Sequence, residues 1–80
     1  MAQYVPISCV QHERLEYSVL RKIPLELRYL GTDGEQRHER VVPVDVATRD
    51  GAEWLTFRNE SGDVIEIRLD AIVSFQEAIR

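Results

Sequence analysis

Near its C-terminal end the chain alternates strictly between apolar and charged positions: Ile65, Ile67 and Leu69 are separated by Glu66 and Arg68. A period of two places the aliphatic side chains on one face and the charges on the other, which predicts a half-buried strand. Asp70 and Ala71 break the alternation, and Ile72-Val73-Ser74-Phe75 starts a second β-prone run too soon for an ordinary loop. The spacing predicts a tight corner, the device by which a small antiparallel sheet curls into a barrel. Asp70 is expected to hold that corner by accepting backbone N–H groups.

The same alternation recurs upstream. Leu25-Glu26-Leu27-Arg28-Tyr29 predicts a first strand and Glu53-Trp54-Leu55-Thr56-Phe57-Arg58 a third. Between them a strand is expected from about Glu39 to Val46, with Val42, Val44 and Val46 on one face and Val41, Pro43 and Asp45 on the other. Pro43 has no N–H for a ladder, so it predicts an edge or a bulge. Gly31-Thr32-Asp33-Gly34, Thr48-Arg49-Asp50-Gly51 and Asn59-Glu60-Ser61-Gly62-Asp63 supply the turns, and residues 76–80 are expected to be a tail.

Ahead of the strands, residues 1–7 read as an extended lead-in, because Pro6 disfavours helical geometry before it. Ser8 and Gln11 have capping-box spacing, and no Gly or Pro falls between Cys9 and Arg21, so a helix is expected over about 9–21. Glu13 and Glu16 precede Arg21 and Lys22, in the order the helix dipole favours. The apolar positions form two stripes, Leu15 with Val19 and Val10 with Tyr17 and Leu20. One stripe packs on the sheet. The other is either plain surface or a face for a partner.

These elements define a mainly β (α+β) chain: a small curled five-stranded antiparallel barrel carrying one N-terminal helix, with strands over about 25–75. Its 80 residues are expected to form a single domain, 1–80. With 44% hydrophobic and 30% charged residues and no long apolar run, the chain is expected to be soluble, with no membrane partner. Nothing at its start resembles a secretory leader, so a cytoplasmic location is expected.

Candidate chemistry is sparse. A single cysteine, Cys9, rules out an intrachain disulfide and a multi-cysteine zinc site. His12 and His38 lie far apart, so no metal or other cofactor is expected. Cys9 and His12 are three residues apart, but without a catalytic constellation around them the expectation is a non-enzyme with no small-molecule substrate. The formal net charge of −4 disfavours direct nucleic-acid binding and suits a basic protein surface.

The ordered set of residues resembles a known family. Tyr4-x-Pro6-Ile7-x-Cys9 leads into Leu15-Glu16, followed by Leu25-Glu26-Leu27, Asp33-Gly34, Val44-Asp45, Arg49 and Glu53-Trp54-Leu55. Arg68-Leu69-Asp70, Ile72, Ser74 and Phe75 complete it, so the resemblance spans residues 4–75. No single motif is specific, but the collinear order resembles the Rof-type Rho-binding antiterminators of bacteria. The resemblance implies an Sm-like fold and an inhibitor that binds the N-terminal RNA-binding domain of transcription termination factor Rho. There it would cover the primary RNA-binding site and prevent RNA loading, giving antitermination.

Site residues follow from that resemblance. Glu13, Glu16, Asp45 and Glu53 stand as carboxylates facing a basic groove, with Arg49 contacting an acidic or carbonyl group of the partner or serving the fold. Tyr17 and Trp54 are the candidate aromatic anchors, Trp54 being equally suited to covering the barrel. Val10-Gln11-His12-Glu13 departs from the family pattern, in which this segment is more acidic, so the helix is expected to contribute less charge. The rival expectation is an Sm-like RNA-binding or RNA-regulatory module, since fold does not determine function.

Overall fold

The structure, a computed structural model, describes residues 9–78. Helix α1 spans Cys9–Arg21 and five strands follow: β1 (Leu25–Leu30), β2 (Gln36–Arg49), β3 (Ala52–Asn59), β4 (Val64–Arg68) and β5 (Ile72–Glu77). All neighbours are antiparallel, in the order β4-β3-β2-β1-β5. The fold is therefore mainly β, a small curled barrel with one helix, as the periodicity predicts. The extended lead-in and the Ser8 cap lie outside the described residues.

Connectivity explains the curl. β4 and β5 are the outer strands of the order, yet only the 3₁₀ turn Leu69–Ala71 joins them. Three residues of 3₁₀ helix advance about 6 Å, whereas four inter-strand gaps in a flat sheet would separate those strands by about 19 Å. The sheet has to roll until its edges meet. Leu69 at the turn is fully buried and continues the inward row of Ile65 and Ile67.

Asp70 does not hold this corner in the expected way. Its carboxylate accepts from the Arg68 guanidinium at 3.1 Å, beside the turn and at the surface. A 3₁₀ turn closes through its own backbone, here by the Ile72 N–H donating to the Leu69 carbonyl, so it has no need of a side-chain acceptor.

β2 is longer than the alternation indicates, because its first half pairs with β1 as far as Gln36 and its second half with β3 as far as Arg49, and Pro43 falls within it. The β2–β3 register slips between Pro43 and Asp45, so a bulge sits in an interior strand where a proline would otherwise leave a gap in the ladder. The extra residue changes the parity. Val41 and Pro43 are buried, Val42 and Val44 are exposed, and beyond the bulge the half-buried Val46 packs on the core. The expected single face of Val42, Val44 and Val46 is thus split. Gln76 and Glu77, expected in a tail, extend β5 opposite Glu26 and Leu25.

The core is Leu15 from the helix with Leu25, Leu27, Tyr29, Val41, Leu55, Phe57 and Leu69 from the barrel. The Tyr29 and Phe57 rings meet edge to face at 5.5 Å. α1 packs chiefly on β2 and ends in a paired cap. The Ile23 N–H donates to the Ser18 carbonyl and the Lys22 N–H to the Val19 carbonyl, with Lys22 left-handed at φ 55°. Among the described residues no helix is long and apolar enough to cross a membrane.

Candidate functional site

The helix divides the way its two stripes suggest. Leu15 is fully buried and Val19 half-buried against the sheet, while Val10, Tyr17 and Leu20 stay 66%, 49% and 81% exposed. A 3.6-residue repeat puts Glu13, Tyr17 and Leu20 on one outward face. The second stripe is therefore surface, with the Arg21 guanidinium lying over the Tyr17 ring at 5.4 Å.

The expected carboxylates collect along one border of this face. Glu16 of α1 and Asp45 of β2 line a shallow groove with Val19, Leu20 and Val46. Asp45 owes its place to the bulge, since it is the first paired residue beyond it. Glu53, near the start of β3, faces the helix from the other side, with Oε2 3.1 Å from Nε2 of His12. The other nitrogen of that ring, Nδ1, lies 3.7 Å from Glu16 Oε2. Glu13 stands on the outer helix face, exposed. Three elements thus bring Glu16, Asp45 and Glu53 to one edge, with Glu13 beside them.

Arg49 and Trp54 form a separate cluster at the β2–β3 hairpin. Asp50 and Gly51 both have positive φ (54° and 73°), as a two-residue hairpin turn requires, and Arg49 pairs with Ala52 across it. The Arg49 guanidinium lies over the Trp54 ring at 4.7 Å and donates to both oxygens of Glu66 at 2.8 and 2.6 Å. Trp54 Nε1–H donates to the Arg49 carbonyl at 3.1 Å. The hydrogen bond with Glu66 raises the Arg49 pKa, and the same bond lowers that of Glu66. Arg49 is engaged within the chain, and Trp54, half-buried, is its platform.

Two residues at these clusters escape the sequence reading. His12 and Glu16 have the i, i+4 spacing of a helical pair, a signal that was present. Glu66 had none, because its partner lies two strands away across β3.

The fold and this edge define a small curled barrel with one helix and an acidic border. No family model matches the sequence, and no curated protein matches it. Among solved structures the chain is similar to Proteasome accessory factor B/C (PafBC) of Arthrobacter aurescens, with a TM-score of 0.78 and 18% identity. The match covers 95% of this chain and 13% of that one, and at this identity it is a likeness of fold alone.

Proposed function

We propose that this chain is a protein inhibitor of transcription termination factor Rho, acting by covering the primary RNA-binding site on Rho's N-terminal domain. The observation that carries the reading is the edge where Glu16, Asp45 and Glu53 gather beside the exposed helix face of Val10, Tyr17 and Leu20. Carboxylates on a folded domain can take the place of phosphates in a basic groove, and adjoining apolar side chains add area that excludes water. The collinear resemblance to Rho-binding antiterminators and the net charge of −4 support the same partner.

The test uses purified Rho with a labelled pyrimidine-rich oligonucleotide. The chain should displace the oligonucleotide from Rho and should not bind it alone. Tight, salt-sensitive binding of the oligonucleotide by the isolated chain would instead favour an Sm-like RNA-binding module.

A further inference from the structure

α1 and β2 leave a groove between them whose two ends carry opposite charge. At one end stand Glu16 and Asp45, with Leu20 and Val46. At the other, Lys22 and Arg58 border Val42, Pro43 and Val44, and Val19 lines both halves. Passing from Glu16 to Lys22 along α1 is passing from Asp45 back to Val42 along β2, so helix and strand run in opposite directions and the halves form one continuous groove. Six residues of helix and three of strand each cover about 10 Å, which sets the two charged ends that far apart on both walls. Arg58 reaches the basic end because it pairs with Val42 in the β2–β3 register. Beyond Val42, Arg40 joins Arg58 in an adjoining hollow that also has Glu60 on its rim.

Neither end is used up within the chain. Among the described residues no ion pair or side-chain hydrogen bond engages Asp45, Lys22 or Arg58. The apolar middle is open as well, since Leu20, Val42 and Val44 are exposed.

We propose that this groove is where a second copy of the chain docks, the two copies lying antiparallel about a twofold axis through the apolar middle. A twofold lays the acidic end of each copy on the basic end of the other, so Asp45 faces Arg58 and Glu16 faces Lys22 twice over. Leu20, Val42 and Val44 of both copies then meet between the charges and exclude water. A partner of one sign matches only one end of the groove. A second copy matches both. The groove is short, so the dimer belongs to the weak, transient class of interface. Dimerisation covers Glu16 and Asp45, two of the carboxylates proposed to meet Rho, and self-association therefore competes with that binding. The dimer itself does not rest on the Rho reading, and Rho takes no part in its test.

Sedimentation velocity of the parent between about 10 and about 500 μM in low salt should show a monomer–dimer equilibrium that moves towards monomer in about 0.5 M salt. Arg58→Glu and Asp45→Lys should each weaken association at least about tenfold, because each reversal creates two like-charge contacts in a symmetric dimer. Mixed in equal amounts, the two variants should associate again. Asp45 of one then faces Arg58 of the other, and the two reversed positions face each other with opposite charge. Arg28→Glu, which makes the same change in net charge beside Ser74 on the β1–β5 face, should associate as the parent does. A parent that sediments as a monomer at every concentration overturns the dimer. Dimers indifferent to both reversals, or variants that fail to recover on mixing, overturn this face as the interface. Growth beyond dimers overturns the twofold arrangement.

Discussion

Tyr29 carries a pH dependence into the core. Its ring is 3% exposed, and its hydroxyl donates to Glu39 Oε2 at 2.9 Å. Burial first, then the hydrogen bond and the charge of Glu39, push the phenol from 10.0 up to about 12. The folded chain thus holds this proton more tightly than the unfolded one. The stability it contributes is fully present below pH 10 and is lost as pH rises through about 12. Urea midpoints across that window should fall for the parent and fall less for Tyr29→Phe. Lys22 offers a second test, because a left-handed residue at a helix C-terminus suits glycine better than any side chain. Lys22→Gly should stabilise the fold by about 0.5–1 kcal/mol in denaturant titrations. Asp70→Ala should cost no more than about 0.5 kcal/mol, since its partner is an exposed arginine and no backbone donor depends on it.

At the scale of elements, the β3–β4 hairpin depends on one side chain. Asn59 Oδ1 accepts from the backbone N–H groups of Ser61 and Asp63 at 3.0 Å each, while the Asn59 N–H donates to the Asp63 carbonyl. This Asx turn presets the reversal that brings β4 against β3. Asn59→Ala should therefore lower stability by about 1–2 kcal/mol, measured by urea unfolding, with Asn59→Asp retaining most of it. The β2 bulge has a different consequence. By shifting the parity it turns Val46 towards the core, while Val42 and Val44 ahead of it stay outside. It also sets Asp45 beside Glu16 at the groove.

For the whole molecule, charge is distributed so that the acidic edge lies between the helix and the hairpin, while Arg49 is neutralised by Glu66. Binding to Rho by the proposed mode should weaken with salt. Asp45→Ala and Glu53→Ala should weaken it more than Glu13→Ala, because the first two sit where helix and sheet converge and Glu13 projects from the exposed face. Surface plasmon resonance at two salt concentrations separates the cases. Rim charges act on the association rate, and a desolvated pair acts on dissociation and costs about 2–5 kcal/mol. Equal affinity for all three variants, insensitive to salt, would leave Tyr17 and Leu20 as the binding groups.

Local pattern determined much of this. Side chains alternate across a strand and recur every 3.6 residues along a helix, so one helix, five strands and the inward row of Ile65, Ile67 and Leu69 were legible from the chain itself. Asp50-Gly51 announced its hairpin through the positive φ that the turn needs. What depends on residues distant in sequence was decided only by the tertiary structure. The bulge could be suspected from Pro43, but that it turns Val46 inward depended on how β2 pairs with β3. Arg49 reads from the chain as either a contact or a structural residue, and only the β4-β3-β2 order puts Glu66 within its reach. His12 meets Glu53 because α1 packs against the barrel, and no spacing along the chain encodes a contact between elements 41 residues apart. Periodicity determines which way a side chain faces, and only packing determines what it meets.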